Sequence, residues 1–116
     1  MKGLVLTIPL FCAALPALAA GKHDGVWRVE GTTDVGDCAK TFSGEIVLRD
    51  NEIVSVNAPD VHAVGAIDAT NAIWSRLTRG AQVARGVGKA SGATASGAWS
   101  SGTAFCGGKW KARRAR

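Results

Sequence analysis

Hydrophobic and polar residues alternate with a period of two along nearly the whole chain after residue 20. Such alternation is typical of β-strands that bury one face. No stretch of about eleven residues or more in this part of the sequence places apolar residues at helical spacing. The 15 glycines of the chain also disfavour long helices. The pattern therefore predicts an all-β domain.

Turn residues divide the alternation into eight short segments. Asp50-Asn51 marks the clearest hairpin, because both residue types tolerate the left-handed backbone region. The predicted strands are 25–33, 41–49, 52–57, 61–67, 72–78, 82–89, 94–100 and 105–114. Short connections between neighbouring strands favour antiparallel pairing. We therefore predict a small up-and-down barrel of about eight strands; the alternative is an open sheet or a β-sandwich.

The last predicted strand, 105–114, alternates most regularly. One of its faces carries Trp110 among small residues and suits a core, whereas the other is a row of cations. Closure of a barrel would place this strand beside the first one and bring Trp110 close to Trp27. Trp99 lies in a Gly- and Ser-rich stretch, where a large aromatic side chain is costly to leave in water. We therefore predict that Trp27, Trp99 and Trp110 belong to the core.

For two of the predicted strands the sequence does not decide which face points into the barrel. In 82–89, an inward Arg85 would need a partner, because a buried lone charge is costly; if the small residues face inward, Arg85 is solvated, which we favour. In 72–78, Trp74 and Arg76 share a face. This face is either an exposed binding patch, since Trp and Arg dominate interface hot spots, or a Trp that covers the barrel wall with Arg76 stacked on it.

The first 20 residues predict a secretory signal, with a positive start, an apolar run and Ala17-Leu18-Ala19 before the cleavage site. The apolar run is too short to span a membrane. We expect one domain over 21–116, in the periplasm or secreted. Export would expose Cys38 and Cys106 to an oxidising compartment, where thiols pair; the alternative is two buried free thiols.

Charge is divided unevenly along the chain. All nine acidic residues lie at or before Asp68, and the residues after it carry only basic charge. The two halves either attract each other in the folded domain, which we favour, or leave a basic surface for an anionic partner. The residues expected to form such a binding patch are Trp74, Arg76, Lys109, Lys111 and Arg113.

The sequence carries no motif for catalysis or for a cofactor. His23 and His62 are the only histidines, and neither stands in a pattern of zinc ligands. Sequence-specific binding of nucleic acid is not expected of an exported chain without basic and aromatic residues interleaved on one sheet face. We expect a binding or inhibitor module that is not an enzyme and needs no metal or cofactor. The alternative is a structural or adhesive envelope component held through its basic half; the oligomeric state stays open.

Gly25-Val26-Trp27 on the first strand, with an arginine near the end of the last, resembles the lipocalin and avidin superfamily of barrels. The resemblance implies that an arginine of the last strand, Arg113 or Arg114, packs against the ring of Trp27; parity favours Arg114, which shares the face of Trp110. A second resemblance, to small exported bacterial all-β proteins of uncharacterised function, covers most of 21–116. It rests on Gly25-Val26-Trp27, Gly36-Asp37-Cys38, Gly97-Ala98-Trp99 and Cys106-Gly107-Gly108-Lys109-Trp110. It implies the barrel and the cysteine pair, and no site.

Overall fold

The computed structural model describes residues 21–116, which form eight antiparallel strands. The predicted signal segment lies outside these residues. The strands are β1 (Gly25–Val35), β2 (Thr41–Arg49), β3 (Glu52–Asn57), β4 (His62–Ile67), β5 (Ala72–Arg79), β6 (Gln82–Ser91), β7 (Thr94–Ser101) and β8 (Cys106–Arg114). Among the residues described, no helix is long and apolar enough to cross a membrane.

Each strand pairs with the next one along the chain, and β1 also pairs with β8 to close the barrel. The closing register runs from Trp27 opposite Arg114 to Val35 opposite Gly107. Tight turns set the neighbouring registers: Asp50 and Asn51 both have positive φ, at 56° and 62°, as a two-residue hairpin turn of this kind requires. The predicted antiparallel up-and-down barrel is confirmed, and the open sheet and the sandwich are excluded.

The core occupies the end of the barrel where β1 begins. Its buried side chains are those of Trp27, Leu48, Ile67, Ala90 and Ala95. Partly buried apolar side chains pack around them, from Ile46, Ile53, Ile73, Trp110 and Ala112. Because inward positions alternate with outward ones along every strand, this layer leaves most charged residues of the same strands on the outside; Arg114, which packs on Trp27, is the exception.

The segment before β1 closes this end of the barrel. The indole Nε1 of Trp27 donates to the carbonyl oxygen of His23 at 2.8 Å, and Trp27 is 2% exposed. Asp24 accepts hydrogen bonds from the backbone amides of Asn51 at 3.0 Å and Gly21 at 2.8 Å. Partial burial raises the pKa of Asp24, but these amides, with that of Asp50 and the charge of Arg49, outweigh it and lower the pKa below its ordinary value. The carboxylate thus fastens this segment to the β2–β3 turn.

β6 turns its small residues inward, so Arg85 is exposed to solvent, as we favoured from the sequence. The small face makes room for the ring of Trp110, whose Nε1 donates to the carbonyl oxygens of Val87 and Ala98, each at 3.2 Å. A Cβ at Gly88 would stand 2.7 Å from Cζ2 of this ring. It would come even closer to the backbone carbonyl oxygen of Ser96 on β7. The glycine is therefore needed both by the neighbouring strand and by the indole.

Trp99 lies nearer the other end of the barrel and is half-buried. Its ring meets that of Phe42 edge-on, with centroids 5.4 Å apart. Its Nε1 donates to the carbonyl oxygen of Thr32 on β1 at 2.9 Å. Trp99 thus links β7 to β1 across β8.

A disulfide fastens the end of the barrel opposite Trp27. Cys38, in the loop between β1 and β2, is bonded to Cys106, the first residue of β8, with their Cα atoms 6.1 Å apart. The predicted pairing is confirmed, and the alternative of two free thiols is wrong. The bond therefore links β8 to the chain just after β1, at the end where the pairing of β1 with β8 stops at Val35 and Gly107.

Candidate functional site

The outer wall formed by β4, β5 and β6 exposes three large apolar side chains. Val64, Trp74 and Val87 are 54%, 53% and 57% exposed. Trp74 lies directly opposite Val87, and Val64 lies directly opposite Arg76, so the three belong to one continuous patch. Single exposed apolar residues are common on protein surfaces, whereas adjoining ones mark interaction sites.

Two arginines adjoin this apolar patch. Arg76 on β5 lies directly opposite Arg85 on β6, and both are exposed. Like charges in directly opposed positions on neighbouring strands destabilise a sheet. Within residues 21–116 neither arginine forms an ion pair. We call the surface made by Val64, Trp74, Arg76, Arg85 and Val87 the arginine face.

Arg76 does not stack on the ring of Trp74. In the part of the chain that the structure describes, the cation–π contact is that of Arg114 with Trp27, and none joins Arg76 to Trp74. Of the two interpretations of this strand, the geometry therefore favours the exposed patch over the stacked pair.

The acidic and basic halves of the chain meet at one seam of the barrel. Lys109 of β8 pairs with Asp34 of β1 at 3.4 Å, and Lys111 pairs with Glu30 at 4.0 Å. The favoured expectation of mutual attraction holds at this seam. It does not hold for Arg76 on β5 and Arg85 on β6, because an up-and-down barrel keeps each strand beside its neighbours in sequence and so keeps these arginines away from the acidic strands β1 and β2.

The residues predicted as one binding patch occupy two separate strips. Trp74 and Arg76 lie on β5, whereas Lys109, Lys111 and Arg113 lie on the outer face of β8, beyond β6 and β7. Arg114 does not join them, because it alternates to the inside. The structure therefore does not bring the five residues of that list together.

Arg85, Val64 and Val87 complete the arginine face and were missing from the predicted patch. A signal for Arg85 was present in the sequence. Gly80, with a φ of 58°, begins a two-residue turn that pairs Arg79 with Gln82. Three residues away from the turn on each strand, Arg76 lies opposite Arg85.

The surroundings of His62, His23 and Asp68 do not indicate a catalytic or metal-binding role. His62 is exposed, and Nε2 of the buried His23 lies 3.1 Å from Oδ1 of Asn71. Hydrogen bonds from the Thr70 hydroxyl and from the amides of Ala72 and Thr70, with the charge of Lys89, lower the pKa of Asp68 below its ordinary value. Across residues 21–116, no group of three or more His, Cys, Asp or Glu is placed to hold a metal ion.

No family model, curated protein or solved structure matches this chain. The resemblances to lipocalin- and avidin-type barrels and to small exported bacterial proteins therefore stay predictions, and the function has to be argued from the surface itself.

Proposed function

We propose that this protein is a non-enzymatic binding or inhibitor module that holds an acidic protein partner on its arginine face. The observation that carries the proposal is the direct opposition of Arg76 and Arg85 without an acidic partner among the described residues. This arrangement costs stability in the free protein. A carboxylate placed between the two guanidinium groups would relieve the repulsion and accept charge-assisted hydrogen bonds.

Trp74 supplies the apolar part of the same surface. Trp and Arg are the residues that most often dominate the energy of protein interfaces. Here the indole, Val64 and Val87 would cover apolar side chains of the partner while the arginines hold its acid. A partner with an acidic residue next to an apolar one fits this surface.

Export completes the proposal. A disulfide is consistent with an oxidising compartment, and residues 1–20 have the composition of a cleaved signal. The partner is therefore sought in the periplasm or outside the cell, among hydrolases and envelope proteins.

Saturable capture from envelope extract tests this function. The immobilised chain is compared with the variants Trp74→Ala and Arg85→Gln, and with Arg79→Gln as the matched control, because Arg79 is an exposed arginine at the far end of the same strand. We expect a saturable partner that the first two variants lose and the control keeps. Absence of a saturable partner, or equal loss in the control, would overturn the proposal.

A second candidate function is a structural or adhesive envelope component held by charge. It is favoured by the outward cations of β5, β6 and β8 that form no ion pair within residues 21–116: Arg76, Arg85, Lys89 and Arg113. Adhesion through exposed charge would weaken steeply with salt, because the screening length is only about 8 Å at physiological ionic strength. Binding that persists at high salt favours the first candidate.

A further inference from the structure

A second basic surface lies away from the arginine face, on the outer side of β6, β7, β8 and β1. Here the wall forms a hollow of about 430 Å³, which we call the basic hollow. Its charged lining residues are Arg28, Glu30, Lys89, Lys111 and Arg113. With four cations and one carboxylate, the lining carries a net charge of +3.

Cations stand on both sides of a hydroxyl in the middle of the hollow. Ser96 of β7 lies directly opposite Lys89 of β6 on one side and Lys111 of β8 on the other. Since neighbouring strands lie about 4.8 Å apart, the two lysines start about 10 Å from each other. In the free protein Nζ of Lys89 donates to the carbonyl oxygen of Thr70 at 3.5 Å, and Nζ of Lys111 lies 4.0 Å from Glu30. Both contacts are long and exposed, and the lysine stem is flexible, so an anion above Ser96 can draw both ammonium groups to itself.

Arginines face each other in the adjoining row. Arg113 of β8 lies directly opposite Arg28 of β1 and, on its other side, opposite Thr94. Arg28 is held by Glu45 at 3.3 Å, whereas Arg113 has no ion pair among residues 21–116. This is the second directly opposed pair of arginines in the barrel; Glu45 offsets part of its repulsion on the Arg28 side, so the uncompensated charge is that of Arg113.

We propose that the basic hollow binds a phosphate group. A phosphate monoester carries a charge of about −1.5 to −2 at pH 7 and three strong acceptor oxygens. Lys89, Lys111 and Arg113 supply the opposite charge, and the hydroxyl of Ser96 supplies a donor between them. The hydroxyl of Thr94 is already engaged, since it donates to the carbonyl oxygen of Ser91 at 3.0 Å. Ser91 also lines the hollow, but only Ser96 lies directly between the two lysines, so we assign Ser96 as the hydroxyl donor of the site.

Acidic groups near the hollow leave this charge in excess. Glu30 approaches Lys111 only to 4.0 Å, at exposed positions, and such pairs contribute little. Asp68 lies at the border beside Lys89, whose charge helps lower its pKa. Arg113 forms no ion pair among residues 21–116. Of the acids near it, Glu45 pairs with Arg28 and Glu30 pairs with Lys111. We therefore expect Arg113 to contribute most to binding.

Titration of the disulfide-bonded chain with inorganic phosphate tests the site, with amide NMR shifts as the readout and ionic strength held constant with chloride. We expect saturable shifts at Thr94, Ser96 and Lys111. Arg113→Gln should weaken binding about tenfold, the effect of losing one charge-assisted hydrogen bond. Arg85→Gln removes the same charge from the arginine face and should leave the dissociation constant unchanged.

Four outcomes would overturn the proposal. They are the absence of a saturable shift, equal weakening of phosphate binding by Arg85→Gln and Arg113→Gln, unchanged phosphate binding in both single variants Ser96→Ala and Arg113→Gln, and an affinity for acetate equal to that for phosphate.

A second arm separates the sources of the phosphate. Tighter binding of glucose 6-phosphate than of inorganic phosphate assigns a soluble phosphorylated sugar, whereas tighter binding to phosphatidic acid vesicles than to phosphatidylcholine vesicles assigns a lipid headgroup. The basic hollow and the arginine face share no residue, so failure of the phosphate site and failure of the proposed function can be told apart.

Discussion

The guanidinium of Arg114 lies over the ring of Trp27, with its Cζ 5.5 Å from the ring centroid. The two residues are directly opposed across the β1–β8 seam. The same guanidinium donates through Nη1 to the carbonyl oxygens of Lys22 at 3.3 Å and Asp24 at 3.2 Å. Arg114 therefore satisfies the backbone of the segment that closes the barrel and covers its largest buried ring.

Trp27→Ala should destabilise the domain by about 3–5 kcal/mol, as deletion of a large buried aromatic side chain does. The ring is 2% exposed and lies in the centre of the core. Trp74→Ala is the matched control, because that ring is 53% exposed and its loss should change stability by less than about 0.5 kcal/mol. Urea unfolding followed by circular dichroism measures both. Equal midpoints for the two variants would place Trp27 outside the core.

Removal of the disulfide by Cys38→Ala with Cys106→Ala should lower stability by about 4 kcal/mol in the loop-entropy model, because the bond joins residues 68 positions apart. The intact mass of the native chain should lie about 2 Da below that of its reduced form, since the bond forms with loss of two hydrogens. A thermal melt that reducing agent leaves unchanged would contradict a structural role for this bond.

Arg85→Gln should stabilise the free protein by about 0.2–1 kcal/mol, because it removes one of two directly opposed like charges. The matched control Arg79→Gln, at the end of the strand opposite Gln82, should leave stability unchanged. Chemical unfolding at low and high salt checks the cause, since a gain from relieved repulsion shrinks when salt screens the charges. A loss of stability in Arg85→Gln would show that the arginine pair supports the fold.

Acid should weaken the Trp27 end of the barrel through Asp24. The folded-state pKa of Asp24 lies below its unfolded value, about 3.9, so its contribution is present above that pH and is lost as pH falls through the folded pKa. Asp24→Asn should cost about 0.5–1 kcal/mol at pH 7, after allowance for solvent screening, and much less near pH 2. Asp60→Asn, at an exposed loop position, is the control. A penalty for Asp24→Asn that is independent of pH would exclude the charge as its cause.

Local patterns were enough to predict the strands. Period-two alternation placed all eight of them, and the limits differ from those of the structure by at most two residues, as at Val35 and Ser91. These two strand ends were missed because pairing extends a strand beyond its alternating run. Val35 continues β1 because it pairs with Gly107 on β8, and Ser91 continues β6 because it pairs with Thr94 across the β6–β7 turn. Short turns also determined which neighbours pair, so the barrel order could be predicted before any contact was known.

Only the tertiary structure decided which charges remain free. The sequence by itself was enough to predict the signal segment and the strand order, and it shows that all acidic residues lie before Ala69. It did not determine that Arg28 lies opposite Arg113, since that register exists only after β1 meets β8. Which face of β6 points inward also became clear only from the structure. Trp110 occupies the space over Gly88, so the small face of β6 is inside and Arg85 points outward. Alternation defines two faces of a strand, and only the packing of the whole barrel determines which of them is buried.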